Sequence, residues 1–336
     1  MIEGHGDDLF RYGSRIKANF STNIPQDADH SGLLRHLHDC GVMFRNYPEP
    51  DAGSVADILA YEAGLEKDNI LVTNGATEAI YLLAHLFEGK KSAVVVPTFR
   101  EYQDACKIFR HKIKFVNCLE DIKDEMDLVW LCNPNNPTGK CYALDRIKDI
   151  LAGNPNTIFV IDQAYDLYSV RPVMTLKEAS GYPNLVVLQS LTKRFSIPGL
   201  RLGYAVGNPV LIESLKSLKM PWSVNSVAIC AAEFLLSHAN DYQIHRELLH
   251  NEAERIMKEF EAMGIEVYPT DCNFFLSKLH KGTAAELKKW LVDQYGLLIR
   301  DASNFEGLTD RYFRIAAQGR EENDLLIKAV KEWNTL

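Results

Sequence analysis

Lys193 sits in the run Ser190-Leu191-Thr192-Lys193-Arg194-Phe195-Ser196-Ile197-Pro198-Gly199-Leu200-Arg201, directly after a β-rich stretch, Leu185–Ser190. A lysine held at a strand end can form an imine with a carbonyl cofactor. The hydroxyls of Ser190 and Thr192 and the guanidinium of Arg201 are the groups that would hold such a cofactor's phosphate.

Four further clusters follow apolar, strand-like runs. Asn74-Gly75-Ala76-Thr77-Glu78 leaves one run and opens a helix, so small residues expose free N–H groups at its positive end, suited to a phosphate. Asn133-Pro134-Asn135-Asn136-Pro137-Thr138-Gly139 makes a tight turn that holds an asparagine amide at the sheet edge. Asp162-Gln163-Ala164-Tyr165 puts a carboxylate at the end of a central strand. A buried carboxylate needs a cationic partner, and a pyridinium nitrogen is one. Pro97-Thr98-Phe99-Arg100-Glu101-Tyr102 supplies aromatic rings. Each motif alone also serves as an ordinary turn or core segment.

The elements that must position these groups are legible as a pattern. Between Asn69 and Gly207, β-rich runs (Asn69–Thr73, Ser92–Pro97, Ile113–Cys118, Leu128–Cys132, Thr157–Asp162, Leu185–Ser190, Leu202–Gly207) alternate with amphipathic segments such as Glu78–Phe87, Tyr102–Phe109 and Leu144–Leu151. The spacing predicts an α/β layer, a mostly parallel seven-stranded sheet covered by helices, with ligands at the C-terminal strand ends. Beyond Pro221 the pattern changes. Helices are expected over Val224–His238, Tyr242–Met263 and Ala284–Tyr295, and strands over Ile265–Tyr268, Asn273–Lys278, Leu297–Arg300 and Tyr312–Ala316. This describes a smaller α+β domain. The expected division is an N-terminal arm over 1–29 packing on the small domain or a partner, a large domain over 30–239, and a small domain over 240–336.

Composition excludes several classes. The chain has 336 residues, 46% of them hydrophobic, and a formal net charge of −8. With no basic block, nucleic acid is not an expected partner. No apolar run reaches membrane-spanning length and the start lacks a signal-peptide core, so a cytoplasmic protein is expected. The seven cysteines form no C-x-x-C pair and several lie in apolar runs, which suits reduced thiols. His36 and His38 read as helix-surface residues without an acidic or Cys partner at ligand spacing, so no metal is expected.

Taken together, N-G-A-T-E, N-P-N-N-P-T-G, D-x-A-Y, S-x-T-K and K-x₇-R resemble the fold-type I pyridoxal 5′-phosphate (PLP) enzymes of the class I/II aminotransferase branch, over nearly the whole chain. The resemblance implies that Lys193 carries the Schiff base and that Asp162 pairs with the ring nitrogen. It implies that Tyr165 and Asn136 contact the ring hydroxyl, and that Ser190, Thr192, Arg201, Ala76 and Thr77 line the phosphate site beside Gly75. Tyr102 is the expected ring-stacking aromatic, with Phe99 the second choice. Tyr47, in Arg45-Asn46-Tyr47-Pro48, matches a tyrosine that reaches the partner subunit's cofactor, which implies a homodimer with shared active sites. Arg314 matches the arginine that binds the substrate α-carboxylate.

The run Ile299-Arg300-Asp301-Ala302-Ser303-Asn304-Phe305-Glu306-Gly307-Leu308, with His5-Gly6-Asp7-Asp8 and Phe20-Ser21-Thr22-Asn23-Ile24, is most similar to threonine-phosphate decarboxylases of cobalamin biosynthesis, with histidinol-phosphate aminotransferases as near relatives. There Arg300 would contact a substrate phosphate, with His5, Asn23 and Asn136 as further substrate contacts. Asp7 stands where the decarboxylase pattern has a glycine, and Ile24 runs straight into Pro25. Decarboxylation of L-threonine O-3-phosphate is the expected reaction and transamination the alternative. A non-catalytic PLP-sensing domain would need a DNA-binding module, which this acidic chain is not expected to carry.

Overall fold

The computed structural model describes residues 8–41, 43–122 and 125–335. Its strands are β1 (Ala18–Asn19), β2 (Ile70–Thr73), β3 (Lys91–Val95), β4 (Lys112–Val116), β5 (Leu128–Cys132), β6 (Ile158–Asp162), β7 (Leu185–Gln189), β8 (Gly203–Gly207), β9 (Glu266–Val267), β10 (Phe274–Lys278), β11 (Leu297–Leu298), β12 (Arg300–Asp301) and β13 (Tyr312–Ala316). Each of the seven expected runs of the large sheet is a strand. The sheet order is β2-β8-β7-β6-β5-β3-β4, and β8 alone runs antiparallel to its neighbours.

The reason lies in the side chains. The central strands β5, β6 and β7 (Leu-Val-Trp-Leu-Cys, Ile-Phe-Val-Ile-Asp and Leu-Val-Val-Leu-Gln) are almost wholly apolar and buried but for a partly buried Ile158, as a parallel sheet between helical layers requires. Each such aliphatic side chain removed from water contributes about 1.5–3 kcal/mol. The edge strand β4 carries exposed Lys112 and Lys114, charges that discourage pairing with another chain. Helices Gly75–Leu86 and Glu101–Ile108 lie against the core that includes Leu71, Val94, Trp130 and Val160.

A second sheet, β12-β13-β10-β9, carries the C-terminal part of the chain. Its core joins Phe260, Phe275, Phe313 and Ile315 to Leu287, Leu291 and Leu326 of the covering helices. Residues 18–20 belong to this core as well. β1 pairs in parallel with β11, Phe20 is fully buried there, and the Phe20 carbonyl accepts from the Ala316 N–H at 3.1 Å.

Two expected elements differ. Leu297–Arg300 is not one strand: Leu297–Leu298 pairs with β1, while Arg300–Asp301 turns to pair with β13. The segment serves two sheets, and the break at Ile299 follows from having a different partner on each side. The helix expected over Tyr242–Met263 spans Arg246–Ala262, with a separate turn at Ala239–Tyr242. It ends before Gly264, which takes φ +79°. Among the described residues, no helix is long and apolar enough to cross a membrane.

Candidate active site

A cavity of about 590 Å³ opens at the C-terminal ends of β5, β6 and β7, walled on the far side by the small sheet and residues 21–30. Its floor is the cluster around Lys193. Ser190 caps the short helix Leu191–Arg194 that begins where β7 ends, and Tyr168 Oη donates to the Lys193 carbonyl at 2.9 Å. The turn is therefore held from outside the helix, leaving the lysine side chain to face the cavity. Its Nζ lies 5.7 Å from the centre of the Tyr165 ring.

The phosphate side is a cradle in which extra atoms do not fit. Gly75 adopts φ +73°, and a Cβ on it would come 2.6 Å from Arg201 Nη2. A Cβ on Gly203 would collide with the backbone nitrogen of Ala76. Helix Gly75–Leu86 thus points its first N–H groups, with Ala76 and Thr77, into the cavity beside Ser190 and Arg201. Arg201 Nη1 donates to the Pro198 carbonyl at 3.0 Å, which fixes its stem. The Thr192 hydroxyl is turned away from this cradle, donating to the Leu202 carbonyl at 3.2 Å.

Asp162 closes β6. Tyr102 Oη donates to its Oδ2 at 2.7 Å and the Ala164 N–H to its Oδ1 at 2.9 Å. Burial raises the proton affinity of this carboxyl, opposed by the two hydrogen bonds and by the Lys193 charge. A cation at Asp162 would relieve that cost. The Tyr165 phenol is likewise pushed up by burial, with the Arg314 charge and the Asn23 amide pulling it back.

Tyr102 and Phe99 both border the cavity, in different surroundings. Tyr102 is fully buried, packs its ring on Trp130 with centroids 5.4 Å apart, and spends its hydroxyl on Asp162. Its place is behind the carboxylate. Phe99, edge-on to Tyr102 and only partly buried, lines the cavity together with Tyr102, Tyr165 and Phe305.

The Asn-Pro motif divides its labour. The Asn133 side chain accepts from the Tyr142 N–H at 2.7 Å, and Asn135 bonds the Pro97 carbonyl and the Thr98 hydroxyl, both at 2.9 Å. Gly139, at φ +71°, abuts Thr270 and the Phe274 carbonyl so closely that any side chain would collide. The loop is pinned between the two sheets, and Asn136 faces the cavity, accepting from Arg314 through Oδ1.

The opposite wall carries the other charges. Arg300 and Arg314 are cross-strand partners in the β12–β13 register, 9% and 5% exposed. Arg314 also donates to the Ser21 carbonyl, and Arg300 Nη2 donates to Asn304 Oδ1 at 2.9 Å. Burial lowers the Arg300 pKa. Like charges placed opposite one another in a sheet oppose folding unless an anion is shared between them. Asn23 is buried on the same wall, and Arg100, which the motif spacing does not signal, reaches it through Nη1 to the Asn304 carbonyl at 3.3 Å. Tyr47 is 85% exposed and lines a separate groove with Phe44 and Trp222. His5 lies outside the described residues.

Residues 15–330 match the model of the family described as aminotransferase class I and II. The chain belongs to that family. The crystal structure of L-threonine-O-3-phosphate decarboxylase from Porphyromonas gingivalis superposes with a TM-score of 0.92, at 38% identity, covering 95% of this chain and all of that one. A histidinol-phosphate aminotransferase of Thermoanaerobacter sp. is 35% identical, over 85% of this chain and 84% of its own length. The threonine-phosphate decarboxylase of Salmonella typhimurium is 29% identical over 93% and 90%. The cofactor is PLP, and the cavity fits it: an amine at Lys193, a glycine-lined anion cradle at a helix start, and a buried carboxylate that a ring cation would relieve.

Proposed function

We propose that this protein decarboxylates L-threonine O-3-phosphate to aminopropanol phosphate, as a step toward cobalamin. The observation that carries this reading is the buried pair Arg300 and Arg314 on one wall, opposite Lys193 and Asp162 on the other. Two adjacent guanidiniums suit a substrate with two anionic ends, a carboxylate and a phosphate, each held in a bidentate fork. The likeness to threonine-phosphate decarboxylases supports the choice of substrate.

In this reading Gly75, Ala76, Thr77, Ser190 and Arg201 hold the cofactor phosphate, and Thr192 shapes the turn beside it. Phe99 stacks on the ring, Asp162 keeps its nitrogen protonated, and Tyr165 and Asn136 donate to its hydroxyl. When bound, PLP supplies an electron sink for the substrate Cα. Arg314 takes the α-carboxylate and Arg300 the substrate phosphate, with Asn23 and His5 closing over it from the arm. These anchors would decide which bond of the substrate Cα is presented for cleavage. With CO₂ lost from the substrate, Lys193 Nζ would be the group placed to deliver the replacing proton to Cα.

The same reading treats 1–29 as an arm, 30–239 as the cofactor domain and 240–336 as the substrate domain. It also treats the protein as a homodimer in which exposed Tyr47 reaches the partner's phosphate site.

The test is direct. With threonine phosphate and no amino acceptor, CO₂ and aminopropanol phosphate are expected in equal amounts. Their absence, with glutamate formed from histidinol phosphate and 2-oxoglutarate, overturns decarboxylation in favour of transamination.

A further inference from the structure

Well outside the cavity, helix Ser31–Asp39 packs against helix Ser226–Ser237, and three soft donor groups meet between them. His36 Nε2 is 3.3 Å from Cys230 Sγ and 3.7 Å from Cys40 Sγ, and all three donor atoms lie within 4.8 Å of one another. The sequence reading places His36 on a helix surface without a Cys at ligand spacing. Folding corrects this. Cys40 follows His36 by four residues and so shares its face one turn on, and Cys230 arrives from the opposing helix. The His36 ring is stacked on Phe234, centroids 4.8 Å apart, so its orientation is set by packing. All three residues are partly buried, screened from bulk water yet reachable by an ion.

We propose that His36, Cys40 and Cys230 form a binding site for a thiophilic divalent cation, zinc by preference, unrelated to the PLP chemistry. Tetrahedral zinc with thiolate bonds of about 2.3 Å and an imidazole bond of about 2.0–2.1 Å places nitrogen and sulfur donors about 3.5–3.6 Å apart and its two sulfurs about 3.8 Å apart. The His36–Cys separations, 3.3 and 3.7 Å, lie on either side of the nitrogen–sulfur value, so small side-chain shifts complete the geometry. Two thiolates and an imidazole also select zinc over magnesium or calcium, which take oxygen ligands. Three protein ligands leave the fourth position to water. The bound ion ties the first long helix to helix Ser226–Ser237. Helix Ser31–Asp39 begins where residues 21–30 leave the cavity wall, and His30 Nε2 is 2.7 Å from the Phe195 carbonyl, so the tie supports the segment that roofs the site.

The experiment uses the full chain loaded with PLP, stripped of metal by a chelator and kept reduced. Cobalt(II) added alone is expected to produce a near-ultraviolet thiolate-to-cobalt charge-transfer band and tetrahedral visible bands. They should saturate at one equivalent per chain and be displaced by zinc. Cys40→Ser, Cys230→Ser and His36→Asn should each weaken cobalt binding by more than about 100-fold, beyond what loss of an outer-shell partner costs. Cys118→Ser should leave the titration unchanged. No charge-transfer band in the unsubstituted chain, which needs no variant to fold, overturns the site. So does a band that survives both cysteine substitutions, or loss of both thiols to a disulfide under these reducing conditions.

Discussion

The two walls of the cavity are built on different principles. The cofactor wall stands on the ends of β5, β6 and β7: Asp162 is the last residue of its strand, and Asn136, Ser190 and Lys193 lie one to four residues beyond theirs. The substrate wall is assembled from distant parts: a cross-strand arginine pair on the small sheet, Asn23 from the arm, and Arg100 from the loop after β3. On the first wall, position follows from local chain geometry on a rigid sheet. On the second, it depends on long-range docking, held by contacts such as Arg314 to the Ser21 carbonyl and to Asn136. On the proposed reading, the cofactor wall can therefore serve several reactions unchanged, while the substrate wall determines which one occurs.

The sharpest way to break that division is to remove one group from each wall. Lys193→Ala should abolish the visible absorbance that appears on adding PLP and lower kcat/KM by about 10⁴-fold or more, since it removes both the cofactor's amine partner and the proton carrier. Arg300→Gln should keep the visible absorbance and raise KM for threonine phosphate by about 100-fold, the cost of losing a charge-assisted fork of roughly 3 kcal/mol. If Arg300→Gln bleaches the cofactor band, the walls are not separable.

A smaller effect tests the role of Tyr102. Tyr102→Phe keeps the ring and deletes the hydroxyl that donates to Asp162 Oδ2. If that hydroxyl supports the carboxylate, kcat/KM should fall about 10-fold, and the pH midpoint of the cofactor band should shift. A variant indistinguishable from the parent would mean that Tyr102 acts only as a stacking ring. Phe99→Leu should instead weaken PLP affinity with that midpoint unchanged.

The same contrast explains what could be read in advance. The seven strands of the large sheet were legible because apolar runs of four to five residues between helical patterns have one reading, and the motifs at their ends are contiguous in sequence. Lys193, Asp162, Asn136 and Gly75 all sit where those runs end. The bond from Tyr102 to Asp162 was not legible, because sequence spacing locates a residue on a helix but not which buried acceptor its hydroxyl will find. Arg100 gave no signal, since an arginine at a helix start is usually solvated. The split of Leu297–Arg300 between two sheets depends on β1, almost three hundred residues earlier, and no local window contains that partner. The His36–Cys40–Cys230 cluster was hidden for the same reason: its third member comes from another helix.

The smallest expected effect asks whether the cofactor wall holds a charge at a cost to folding. Asp166, just beyond Tyr165, accepts from Gln189 Nε2 at 3.1 Å and from the Leu167 N–H at 2.8 Å, yet burial pushes its carboxyl up to about 6. An acid whose pKa is raised on folding keeps its proton longer in the native state than in the unfolded chain. Stability therefore falls as pH rises from the ordinary carboxylate range to about 6, and the penalty persists above it. Asp166→Asn removes that penalty, because the amide still accepts from Leu167 and the Gln189 amide can turn to face it. The variant should raise Tm by about 1–3 °C at neutral pH and leave it unchanged near pH 4, measured by thermal unfolding with PLP bound. A variant destabilised at both values would show that the hydrogen bonds to Asp166 outweigh the cost of its charge. The cofactor wall would then owe its rigidity to that ion as well as to the strands beneath it.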